Sequence, residues 1–92
     1  MVKSAKHRKE CKKVLEEMQL LKEKRGCYDC RNKFPHYVLE FDHRPGEKKI
    51  DNVTRVLKNY GIDMAWLEVA KCDVVCSNCH KVRTYAREHG LI

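Results

Sequence analysis

Two Cys-x-x-Cys pairs constrain this chain more than any other feature. Cys27-Tyr28-Asp29-Cys30 and Cys76-Ser77-Asn78-Cys79 are separated by 45 residues in a chain of 92. Each spacing suits a tight turn that aims two thiolates at one ion, and four thiolates complete a tetrahedral Zn²⁺ shell. The alternative for such a pair is a redox dithiol. That motif opens a helix in a strand-helix-strand setting, and two pairs in one chain favour zinc. A chain this short buries only ~60–65% of its unfolded surface, so its core alone is marginal. A structural metal is one of the staples that such scaffolds use. Cys11 and Cys72 stand outside the frame and read as small buried hydrophobes.

Charge narrows the partner. Lysine and arginine number 20 against 13 acidic residues, a net charge of +7. Solubility alone would explain some excess, but a basic, cysteine-rich domain more often meets nucleic acid. No stretch approaches the ~18 apolar residues of a membrane span. The basic start, Met1-Val2-Lys3-Ser4-Ala5-Lys6-His7, lacks the apolar run of a signal peptide. The expected setting is the cytoplasm, away from membranes, where thiols stay reduced.

The chain divides at Gly26. Residues 1–25 hold nine basic and four acidic side chains, for +5, and no glycine or proline. Cys11, Val14, Leu15, Met18 and Leu21 recur at helical spacing. Ser4 is the candidate N-cap and Gly26 the stop. The spacing predicts a basic amphipathic helical arm, its apolar face on the domain or a partner. Its Lys9, Lys12 and Lys13 are candidate phosphate contacts.

Residues 26–92 form the second part. Alternation of Tyr37, Leu39 and Phe41 with Val38, Glu40 and Asp42 predicts a half-buried strand, ended by Arg44-Pro45-Gly46. A helix is expected from near Asp51 to Gly61, on Val53, Val56, Leu57 and Tyr60. A short third helix, capped by Asp63, carries Met64, Leu67 and Val69, with Trp66 as the bulkiest core candidate. Val74-Val75 is β-prone and leads into Cys76. The last helix runs from near Cys79 to before Gly90. There His80, Arg83 and Arg87 share one face, with Val82, Tyr85, Ala86 and His89 on the opposite, core-facing side. Among the other histidines, His7 adds charge, His36 lies in a loop and His89 caps the helix end.

Asp42-His43 closes the predicted strand, and His80 follows the last cysteine. A carboxylate and an imidazole can hold a divalent cation, while a second, neutral imidazole deprotonates water. The cation then stabilises charge on a phosphodiester. Strand neighbours point to opposite faces, so Asp42 and His43 converge only if the strand breaks at Arg44. Taken alone, an Asp-His pair is as readily a salt-bridged or core histidine.

The order Cys27-x-x-Cys30, Leu39-Glu40-Phe41-Asp42-His43-Arg44, Cys76-Ser77-Asn78-Cys79-His80-Lys81-Val82-Arg83-Thr84 resembles the HNH endonucleases. These belong to the ββα-metal (His-Me finger) superfamily, here in its zinc-knuckle form. Many small free-standing members are phage-encoded. The resemblance spans about residues 26–88. It implies an α+β fold: a small zinc-stabilised ββα-metal, treble-clef-like domain, preceded here by the basic helix. A β-hairpin and a helix would hold the catalytic metal between them. It implies His43 as general base, Asp42 and His80 as ligands of Mg²⁺, Mn²⁺ or a similar ion, and Cys27, Cys30, Cys76 and Cys79 on structural Zn²⁺. Arg44, Lys81, Arg83 and Arg87 become candidate DNA contacts. The implied activity is hydrolysis of DNA, expected to be double-stranded, with low sequence specificity. Family analogy adds a possible place beside phage DNA-packaging machinery. The chain departs from the pattern at the middle asparagine: residues 71–75 read Lys-Cys-Asp-Val-Val. A backbone carbonyl or Asp73 is the expected orienter of His43 instead. The alternative function is a non-catalytic, zinc-stabilised nucleic-acid-binding module.

Overall fold

The computed structural model describes residues 5–91, with side chains from residue 7; the Ser4 cap lies outside the described residues. Helix α1 spans Ala5–Arg25 and ends where Gly26, at φ +69°, bonds its N–H to Lys22 O. A single 3₁₀ turn, His36–Val38, leads into strand β1, Leu39–His43. Tyr37 therefore belongs to that turn and is exposed, not part of a half-buried strand. Two short helices follow, α2 Val53–Tyr60 and α3 Ile62–Val69, then strand β2, Cys72–Cys76, and helix α4, Ser77–Glu88. None of these helices is long and apolar enough to cross a membrane.

Local chemistry sets these boundaries. Asn52 caps α2 by accepting the Arg55 backbone N–H at 2.9 Å, the usual service of an amide oxygen at a helix start. Gly61 ends α2 and starts α3 at φ +97°, a left-handed angle that glycine adopts at little cost. Asp63 is not the cap of α3; it lies in the first helical turn and the cap makes no side-chain bond. A carboxylate there still favours the positive helix end.

The sheet has two strands, β1 and β2, paired antiparallel from Leu39↔Cys76 to His43↔Cys72. They are not a simple hairpin: residues 44–71, with α2 and α3, intervene. One core cluster joins Cys11, Val14 and Met18 of α1 to Val53, Val56 and Leu57 of α2, Ala65 and Val69 of α3, and Cys72. Thus α1 packs its apolar face on the domain. A second cluster gathers Cys27, Leu39, Val74, Val75 and Cys76, and Phe41 packs against both. Cys72 fits its apolar reading, since burial pushes its thiol up to about 11. Trp66 is half-buried against the first cluster, but Leu67 is exposed. The eight-residue α3 turns Ala65, Glu68 and Val69 inward instead.

Candidate functional site

The four frame cysteines meet in space. Their sulfurs all lie within 4.8 Å of one another. A tetrahedron with Zn–S of about 2.3 Å needs sulfurs ~3.8 Å apart, so the donor set fits a structural metal such as zinc. Both pairs form a turn in which a backbone N–H points at sulfur: Cys30 N to Cys27 Sγ at 3.5 Å and Cys79 N to Cys76 Sγ at 3.4 Å. Burial alone would raise the Cys27 thiol, but backbone N–H groups, Cys30's first, bring it down to about 6. Burial and the three facing sulfurs push the Cys79 thiol the other way, up to about 12, so without a cation the cluster holds one ready thiolate and a metal must displace the remaining protons. Gly26 makes the first turn possible: a Cβ there would stand 2.8 Å from Asn32 O. The Tyr28 N–H donates to Val74 O at 2.7 Å, tying this turn to β2.

Next to the cysteines, Glu40 and Asp42 leave β1 on the face covered by α4. Glu40 holds His80 through a hydrogen bond at Nδ1, and Ser77 Oγ donates to Glu40 Oε1 at 3.2 Å. With Nδ1–H on Glu40, His80 presents Nε2 to Asp42 Oδ1 at 3.6 Å. A carboxylate that fixes a histidine tautomer is the usual support of a metal-ligating imidazole. Asp42 is only 5% exposed. Arg87 donates Nη1–H to its Oδ1 and Nη2–H to its Oδ2, both at 2.9 Å, and Arg83 donates Nη1–H to Oδ2 at 2.9 Å. Burial would raise the Asp42 carboxyl, but Arg87 and then Arg83 hold it below its ordinary range.

Arg83 is shared. It also clasps Asp29 of the first cysteine turn at 2.6 and 2.7 Å and reaches Asp73 of β2 at 3.1 Å. Of the expected DNA contacts, Arg83 and Arg87 are thus turned inward onto carboxylates. Arg44 donates to the Cys72 carbonyl at 3.0 Å and to the Ala70 carbonyl. Lys81, Lys9, Lys12 and Lys13 are exposed.

His43 stands apart from Asp42 and His80. Strand pairing runs through His43↔Cys72, and Arg44 N–H still reaches Lys71 O at 2.9 Å. The strand therefore breaks too late to swing the two neighbours together. Asp42 faces α4 and His43 faces α3, where its Nε2 lies 2.7 Å from Glu68 Oε2. The orienter is neither Asp73, which pairs with Arg83 and Arg44, nor a carbonyl. Glu68 is fully buried. Burial would raise its carboxyl, yet bonds from Lys71, the Ile50 N–H and His43 bring it down to about 2. An ionised Glu68 accepts a hydrogen bond from His43 Nε2–H, and that tautomer leaves Nδ1 with the free lone pair.

Glu40, Glu68 and Asp29 join the candidate site although none was a candidate from sequence. Glu40 carried a signal, two positions before Asp42 on the same strand face. Glu68 carried one too, a carboxylate inside the Ala65–Val69 apolar stripe. Asp29 carried none. His7 Nε2 lies 3.4 Å from Cys11 Sγ, His36 donates its backbone N–H to Glu23, and His89 bonds the Tyr85 carbonyl at the end of α4. The chain matches no protein-family model, no curated protein and no solved structure in the comparisons made.

Proposed function

We propose that this protein is a metal-dependent DNA endonuclease built on a treble-clef-like ββα-metal core, with α2 and α3 inserted between the strands. The carrying observation is the placement of His80: Glu40 holds Nδ1, so Nε2 faces Asp42 Oδ1 at 3.6 Å. The Asp42 carboxylate suits a hard cation such as Mg²⁺ or Mn²⁺, and the His80 imidazole favours the softer Mn²⁺ of the two. A cation bound there supplies neutralisation of charge on the phosphate oxygens and leaving group. Zinc on the four cysteines braces the cores of both strands. His43, fixed by Glu68, accepts the proton of the attacking water at Nδ1. His43 leaves β1 on the face opposite Asp42, so for both to act on one scissile phosphate the strand end at Arg44-Pro45 must rearrange on DNA. Such a site addresses the backbone and reads little base information. The order of motifs and the resemblance to HNH endonucleases support the same reading.

One observation favours a second reading. Arg83 and Arg87 already bond both oxygens of Asp42. If that clasp persists on DNA, Asp42 serves the fold and the chain is a non-catalytic, zinc-stabilised nucleic-acid-binding module. Supercoiled-plasmid nicking by the zinc-loaded protein separates the two, with Mg²⁺ or Mn²⁺ added or omitted. The endonuclease nicks only with added cation and loses nicking in His43→Ala while still binding DNA. A protein that binds but never nicks is the module.

A further inference from the structure

Beside the first cysteine turn lies a pocket of about 330 Å³, lined by Arg25 at the end of α1, Tyr28, Arg31 and Arg44. That volume falls at the lower end of the range for small-ligand sites, ~300–1,000 Å³. The Tyr28 ring is 52% exposed, and the Arg31 guanidinium carbon lies 4.5 Å from its centroid. Among the described residues, no ion pair engages Arg25 or Arg31, while the one acid in the lining, Asp73, is taken by Arg83 and Arg44. The pocket is therefore cationic and holds a ready stacking surface.

Arg31 has φ +65°, the one non-glycine residue at positive φ among the described residues. Glycine or asparagine would take that angle more easily. The angle closes the cysteine turn, in which the Arg31 N–H donates to Cys27 O at 2.9 Å, and it carries the guanidinium over the exposed Tyr28 ring. A second cavity of about 570 Å³ shares Arg44 and Asp73 and continues toward Arg83 and Arg87 of α4.

We infer that this pocket binds an unpaired nucleotide of a single nucleic-acid strand, its base stacked on the Tyr28–Arg31 pair and its phosphates on Arg25 and Arg44. Bases splayed from a strand stack on aromatic rings and guanidinium planes, whatever their sequence. The two cavities share Arg44 and Asp73, so a strand seated in the first would run past the end of β1 toward α4. This binding requires no cleavage and none of Asp42, His43 or His80, so it stands or falls apart from the catalytic reading.

The test is fluorescence anisotropy with a labelled oligothymidylate and the zinc-loaded full chain, without Mg²⁺ or Mn²⁺. Tyr28→Ala should weaken binding by about 5- to 150-fold, the range for one lost base stack, and Tyr28→Phe should bind like the parent. Arg31→Gly should weaken binding while its thermal midpoint stays level or rises, because the strained angle is relieved. An abasic strand should bind the parent and Tyr28→Ala alike. Parent-like binding by both Tyr28→Ala and Arg31→Gly would overturn the inference. A fall in the Arg31→Gly midpoint with binding retained would make Arg31 structural and overturn it too. Binding of thymidine monophosphate but not of the strand would overturn the assignment to a strand.

Discussion

A carboxylate with no exposed surface has to be matched by donors, and Glu68 is matched three times. Lys71 Nζ lies 2.9 Å from Oε1, while the Ile50 N–H at 3.0 Å and His43 at 2.7 Å share Oε2. Removing a buried partner of this kind leaves the others uncompensated, at about 3–5 kcal/mol. Glu68→Ala should lower stability by roughly that amount in urea unfolding. The pH dependence has a definite sign. The Glu68 carboxyl is held at about 2, below the 4.5 of an ordinary glutamate. The unfolded chain thus binds the proton first as pH falls. The contribution is complete above about pH 4.5 and is lost as pH falls toward about 2. Zinc release as the thiolates protonate unfolds both proteins in strong acid, so the difference is read while zinc is bound: the parent-minus-Glu68→Gln difference in urea midpoint should stay level from about pH 7 down to about pH 5. A difference that already falls across that range would remove Glu68 from this role. Catalytically, Glu68→Gln should slow nicking by about tenfold or more, since a misoriented base forfeits part of its ~10²–10⁴-fold contribution.

Helix α4 shows what periodicity conveys and what it misses. His80, Arg83 and Arg87 do share one face, but that polar face turns inward, onto Glu40 and Asp42. Val82 and Tyr85, grouped as core by their spacing, are 61% and 58% exposed, and Tyr85 stacks on His89 outside. An apolar stripe marks the buried face only where the facing element is apolar, and here β1 presents carboxylates. The partners lie 41 and 45 residues away in sequence, too far for any local pattern to report. The cysteine frame was legible because each Cys-x-x-Cys turn is a local device. Apolar spacing also served for α1 and α2, which meet face to face in one core. Arg83 joins the first cysteine turn, β1 and β2 through Asp29, Asp42 and Asp73. Arg83→Met should therefore cost about 3–5 kcal/mol, because three carboxylates lose one guanidinium. A loss below about 1 kcal/mol, the level of an exposed pair, would mean the network is solvated. Met18 on α1 is buried in the main core. Met18→Ala should cost roughly 2–5 kcal/mol in the same unfolding assay. A negligible change would make α1 a separable arm.

At the scale of the whole molecule, two small core clusters meet at Phe41, and the four-cysteine cluster sits at the end of the second. A domain of this size gains stability chiefly from such a staple. Structural zinc supplies ~10–16 kcal/mol of apparent folding free energy in comparable sites. Protein purified without added metal should carry about one zinc per chain by elemental analysis, and Cys79→Ala should be unfolded by circular dichroism; a folded, metal-free protein would contradict both. The carboxylates and arginines around Asp42 then decide what the stapled fold does. The most direct measurement is the nicking rate of the zinc-loaded protein as Mn²⁺ is raised, for the parent, His80→Ala, His80→Asn and His43→Asn. Saturable, cation-dependent nicking by the parent and its loss with His80→Ala are expected. Partial recovery is expected with His80→Asn, whose amide oxygen can ligate a hard cation, and near-complete loss with His43→Asn at every concentration. No nicking by the parent at any Mn²⁺ concentration, with zinc and DNA binding intact, would contradict the assignment of His80 and Asp42 as a cation site.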